Sequence, residues 1–69
     1  MEDILKSFGN RIRTLRAERK ISQEELADRC GLHKNYIGMV ERGERNPSLL
    51  NIKKIVDAFG LKLSDFFNF

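Results

Sequence analysis

The sequence holds a single cysteine and a single histidine, and that scarcity excludes a good deal. A lone cysteine forms no disulfide within its own chain, which fits a reducing, cytoplasmic setting. One histidine and one cysteine, with no pair of carboxylates bound to converge, supply neither a nucleophile with its base nor a metal cage. The chain is therefore read as a non-enzyme with no catalytic residue, metal, cofactor or small-molecule substrate. No apolar run is long enough for a transmembrane helix, and no basic start followed by an apolar stretch marks a leader, so a membrane is not an expected partner. Strand-like alternation, internal repeats and low-complexity tracts are also missing.

Excess charge is scarce too. A net charge of +3 is too small for a uniformly basic surface, so position has to decide whether a polyanion is the partner. Arg11, Arg13, Arg16, Arg19 and Lys20 fall in one segment, and Lys34, Arg42, Arg45, Lys53 and Lys54 in another that holds only Glu41 and Glu44 as acids. Other acids gather at Glu2 and Asp3 and at Glu24, Glu25 and Asp28. That distribution allows a polarised surface; ordinary salt-bridge lacing of helices is the alternative. Sixty-nine residues permit one domain with a small core, residues 1–69, which is marginal unless well idealised or partnered.

What the chain does have is helical spacing. Leu5, Phe8, Ile12 and Leu15 predict a first helix from about Asp3, its cap, to Lys20. Ser22 caps a second, with Glu25 completing a capping box. Leu26, Ala27 and Cys30 form its narrow apolar stripe, where Cys30 is a small buried hydrophobe or, alternatively, a redox sensor. Gly31 stops that helix in a left-handed conformation, and Leu32 is the buried residue of the turn. This turn lacks the glycine spacing and lysine of a phosphate-cradling loop. Tyr36, Ile37 and Val40 then share the inner side of a third helix. After a polar loop from Gly43 to Pro47, Ser48 caps a fourth helix whose core face carries Leu49, Ile52, Ile55, Val56 and Phe59. Gly60 ends it, Leu61 and Leu63 anchor the link, and Ser64 opens a short last helix through Asp65, Phe66 and Phe67. The expected fold is all-α, with five helices: residues 22–42 form a helix-turn-helix core, and 48–69 serve packing and dimerisation.

The outward face of the third helix carries the functional signal. At about 100° per residue, Asn35, Gly38, Met39 and Arg42 point away from the core, with Lys34 on the flank. Lysine donates to guanine O6 and N7, asparagine pairs bidentately with adenine, and Met39 suits a thymine methyl. A glycine inside a helix costs roughly 1 kcal/mol against alanine, so Gly38 suggests a close approach at this face. A solvated face with a tolerated glycine is the alternative. Gln23, at the start of the second helix, is placed to hold a phosphate with the free backbone N–H groups. Arg45, Asn46, Lys53 and Arg42 are further phosphate candidates.

The run Ser22-Gln23-Glu24-Glu25-Leu26-Ala27, the Gly31 turn, Tyr36-Ile37, Val40-Glu41-Arg42-Gly43 and Arg45-Asn46-Pro47-Ser48-Leu49 together resemble the phage repressor and Cro-like helix-turn-helix family, also called the Xre family. The likeness covers about Phe8 to Phe67. Within the family, Asn35-Tyr36-Ile37, Val40 to Asn46 and Leu50 to Ile55 are similar to the controller proteins of restriction-modification systems. The resemblance implies a compact repressor-like domain, base reading by Lys34, Asn35 and Met39 with Arg42, and an ion pair between Arg16 and Glu41. His33 departs from the small hydroxyl residue common at its place; its capping role is open, and a phosphate contact is expected instead, above all for the protonated ring.

Leu50 lies opposite the core face of the fourth helix, and Phe66, Phe67 and Phe69 crowd the end of a small chain. Such a cluster suggests an interface, so a two-fold homodimer through Leu50, Phe67 and Phe69 is expected; two of these residues closing the monomer core is the alternative. The expected function is a sequence-specific regulator of transcription that binds double-stranded DNA as a homodimer on an inverted repeat. A controller of this type would activate at one site and repress at a neighbouring one. A phage-type repressor or a DNA-binding antitoxin fits nearly as well, and a helical protein-interaction module is the reading from another class.

Overall fold

The computed structural model describes residues 3–69; Glu2 of the acidic start lies outside them. Five helices follow in order: α1 Ile4–Arg19, α2 Gln23–Cys30, α3 Lys34–Glu41, α4 Leu49–Ala58 and α5 Leu63–Phe66. No strand occurs among the described residues, and no helix there is long and apolar enough to cross a membrane.

Local chemistry sets the helix starts. Asp3 accepts from the Leu5 and Lys6 N–H groups, Ser22 from Glu25 N–H at 3.0 Å and Ser48 from Asn51 N–H at 3.1 Å. Each such cap is worth about 1 kcal/mol. The Ser22 capping box is only half formed, because Arg29 one turn on takes the Glu25 carboxylate at 2.5 Å. The helix ends share one device. Leu32 N–H donates to Ala27 C=O and Leu61 N–H to Val56 C=O, each just past a glycine at positive φ, Gly31 and Gly60. The apolar residue then folds back on the core. At the end of α1 the same geometry is imposed on Lys20, at φ 55, with Ile21 N–H donating to Arg16 C=O at 3.1 Å. A left-handed non-glycine costs about 1–2 kcal/mol, and burial of Ile21 offsets it.

The core is Phe8, Ile12 and Leu15 from α1, Ile21, Leu26, Ala27 and Cys30 around α2, Ile37 and Val40 from α3, Ile55, Val56 and Phe59 from the α4 end, and Phe66 from α5. Burying each large side chain stabilises by about 1.5–3 kcal/mol. Helix α3 sits between α1 and α2, and α4 packs on α2 and α5. Two backbones nearly touch where α1 crosses α3. A Cβ on Gly9 would stand 2.3 Å from the Glu41 carbonyl oxygen and 2.7 Å from that of Val40, so only glycine fits. Helix α5 is a single turn and has no stability of its own. Its Phe66 ring is wholly buried beside Phe8, centroids 5.3 Å apart, and Arg11 donates to the Phe66 and Asp65 carbonyls at 2.8 and 3.0 Å.

Three expectations for α4 and α5 need correction. Leu49 is not in the core: it is 75 % exposed, being the first residue of α4, whose side chains pack on the core only from Ile52 onward. Leu63 is exposed rather than anchoring. Ser64 does not open α5, which begins at Leu63 after Lys62 with no side-chain cap.

Candidate nucleic-acid interface

The interface is built outward from one buried carboxylate. Glu41, at the end of α3, is 1 % exposed. Arg16 of α1 reaches it with Nε on Oε2 at 2.7 Å and Nη2 on Oε1 at 2.9 Å, and Arg16 Nη1 donates to Ile21 C=O at 3.0 Å. Gln23, the first residue of α2, adds Nε2 on Oε1 at 3.0 Å. Three donors therefore satisfy a charge that would otherwise be costly to bury. The hydrogen bond to Glu41 raises the Arg16 pKa further above its ordinary value. The ion pair implied by the family resemblance is present and ties α1 to α3, and the Gln23 bond adds α2 to the same carboxylate.

The Gln23 bond changes what that residue offers. One of its two amide N–H groups is spent on Glu41, which leaves only the other for a phosphate contact through the side chain. Gln23 also explains Gly38. That glycine is buried, and a Cβ there would meet Arg42 Nη1 at 3.2 Å and Gln23 Oε1 at 3.5 Å. The close approach at Gly38 comes from the chain's own side chains.

Around Gly38 the structure gathers Gln23, Lys34, Asn35, Met39 and Arg42 along an open groove of about 230 Å³. Asn35 is exposed. Its backbone N–H is bound, while its carboxamide has no hydrogen bond among the described residues. Lys34 is 3.8 Å from Glu24, and Arg42 is held by Glu44 through two hydrogen bonds. Neither acidic partner was visible as such from spacing, though both stand close in sequence to the groove. Met39 is partly buried, a sulfur-bearing wall rather than a protruding tip.

The remaining candidates lie around this groove. His33 does cap α3: its Nδ1 accepts from Asn35 N–H at 3.1 Å. The open question of its capping role is thereby answered, and with Nδ1 engaged in the cap Nε2 is the ring nitrogen left for an outside contact. Arg45 lies over the Tyr36 ring, 5.5 Å from its centroid, and the Tyr36 hydroxyl accepts from Asn51 Nδ2 at 3.1 Å. Asn46 is exposed in the loop after α3. Lys53 does not line the groove and pairs with Asp57 one turn on at 2.6 Å.

Of the expected dimer residues, Leu50 is 64 % exposed and Phe69 55 %. Phe67 is 39 % exposed because one side stacks on Phe8, with centroids 5.7 Å apart. Phe66 is the ring that closes the core.

Known proteins resemble this chain in sequence and fold. A helix-turn-helix family model matches residues 12–66. The control protein C.BamHI of Bacillus amyloliquefaciens is 46% identical over 90% of this chain and 78% of its own. The control protein C.MunI of a Mycoplasma species is 41% identical over 99% and 93%. Among solved structures, the restriction-modification controller protein C.AhdI of Aeromonas hydrophila superposes with a TM-score of 0.90 at 44% identity, covering 96% of this chain and all of that one. The chain belongs to the helix-turn-helix transcriptional regulators of the restriction-modification controller type.

Proposed function

We propose that this chain acts in the cytoplasm as a two-fold homodimer on double-stranded DNA, with α3 in the major groove of each half of an inverted-repeat operator that controls restriction-modification genes. Lys34, Asn35, Met39 and Arg42 read bases. The α2 start at Gln23, His33 Nε2, Arg45, Asn46 and Lys53 meet phosphates, which sets register rather than sequence. Leu50, Phe67 and Phe69 form the dimer contact.

One observation carries this reading: Asn35, on the first turn of α3, presents an exposed carboxamide with no hydrogen bond among the described residues, beside a groove lined by three more hydrogen-bonding side chains and one methionine. An asparagine held that way suits an adenine edge. Exposed Leu50 and Phe69 support the dimer, since apolar side chains of this size gain by leaving water.

Selection of bound duplexes from a random pool tests binding, symmetry and spacing together. The expected product is an inverted repeat with half-sites about one duplex turn, roughly 34 Å, apart. Binding should weaken with salt at a log–log slope near −0.9 per phosphate contact. A pool that never enriches, with no salt-dependent binding, would overturn the reading.

A further inference from the structure

Arg42 is not a loose cation at the end of α3. Glu44, two residues on, grips it with a parallel pair of hydrogen bonds, Nε to Oε2 at 3.0 Å and Nη2 to Oε1 at 3.2 Å. Two such bonds fix the plane of a guanidinium as well as its place. They also leave its other edge open. Arg42 Nη1 lies 3.2 Å from where a Cβ on Gly38 would stand, in the groove shared with Asn35 and Met39. The absent side chain at Gly38 lets the guanidinium lie against α3. Of the five N–H donors of arginine, the three not facing Glu44 are on Nη1 and Nη2, the fork that matches guanine O6 and N7.

We propose that Glu44 is a positioning residue that orients Arg42 to read a guanine. The inference rests on the DNA-reading role assigned to α3 above. A phosphate role for Arg42 fits the charges less well. A carboxylate beside the reading helix repels every phosphate whatever the sequence, and Glu44 would cancel much of the charge that a phosphate contact by Arg42 relies on. Glu44 therefore opposes binding in general and favours it only through the orientation it gives Arg42. Its carboxyl is held below the usual range by the hydrogen bonds from Arg42, so it keeps its charge at neutral pH.

The test compares the full chain with its Glu44→Gln and Arg42→Ala variants. Each is titrated at one salt concentration with the duplex that the unaltered chain selects, with duplexes changed at each guanine of the half-site, and with random duplex. The unaltered chain should prefer guanine at one base pair of the half-site by about tenfold. Both variants should lose that preference at the same base pair, while Glu44→Gln binds random duplex at least as tightly as the unaltered chain. Thermal melts check that Glu44→Gln remains folded, as expected for an exposed pair. Retention of the guanine preference in either variant overturns the proposal, as does an equal change on every duplex in Glu44→Gln. If the unaltered chain selects no duplex, the DNA-reading role itself fails and this inference goes with it; if it selects one and Glu44→Gln reads it equally well, only the positioning role fails.

Discussion

Arg16 and Glu41 meet through two N–H donors of one guanidinium on the two oxygens of one carboxylate, at 2.7 and 2.9 Å, with Glu41 almost wholly withdrawn from water. Breaking a buried pair leaves an unpaired charge. Glu41→Ala is therefore expected to lower stability by about 3–5 kcal/mol, a large part of what a domain this small possesses. Urea unfolding measures it, and an unchanged midpoint would show that the pair carries no such weight. Replacing both partners by apolar residues of similar volume should cost far less.

Gly9→Ala sets two effects against each other. Alanine is the better helix former by about 1 kcal/mol, but its Cβ would press on the backbone carbonyls of Val40 and Glu41, which cannot turn aside as a side chain can. Net destabilisation of about 1–3 kcal/mol is expected from overpacking. A higher melting temperature would mean that α1 and α3 can separate without cost.

Asn35→Ala should relax preference at one base pair by about 1–3 kcal/mol and leave random DNA bound as before. Gln23→Ala should behave differently, weakening all sequences alike and also lowering the melting temperature, because it removes one of the three donors to Glu41. Equal weakening of operator and random DNA by Asn35→Ala would remove Asn35 from the reading set.

Leu50→Asp should leave the fold intact, since the side chain is mostly in water, yet convert a dimer to a monomer in sedimentation at micromolar concentration. Phe69→Ser should act in the same direction. Phe67 is the poorer probe, because its stacking on Phe8 makes any change there a change of the core. A parent chain that is monomeric even on its operator would rule out the interface.

Burial pushes the Cys30 thiol up to about 11 from 9.0. The folded form thus holds a proton that the unfolded form releases near pH 9. The resulting stability is present in full below that pH and is lost as pH rises towards 11. Cys30→Ala should flatten this alkaline decline, and alkylation of the folded chain at pH 8 should be slow beside that of the urea-unfolded chain. Fast alkylation in the folded state would favour the redox-sensor alternative.

The parts of the fold that were legible in advance are those decided within a few residues. Asp3, Ser22 and Ser48 cap because a short polar side chain reaches the next turn's N–H groups. Gly31 and Gly60 end helices because they accept positive φ. Other features had no local signature. Lys20 takes the same backbone conformation without being glycine, Leu49 shares the composition of a core residue but faces water, and Gly9 looks like any glycine within a helix. His33 was harder still, since an imidazole caps only if Nδ1 is aimed at the right N–H.

The order of residues alone determined five helices, the caps at Asp3, Ser22 and Ser48, the turn at Gly31 and the polar outer face of α3, because hydrogen bonds and apolar periodicity over one or two turns suffice for these. Tertiary structure decided which groups are left to act. It brought Gln23 to Glu41 across 18 residues, laid Gln23 and Arg42 over Gly38 and left Asn35 open to solvent. The reason is physical: whether a polar side chain is free depends on which donors and acceptors the packed helices bring within about 3 Å of it, and helical spacing along one segment does not specify those neighbours.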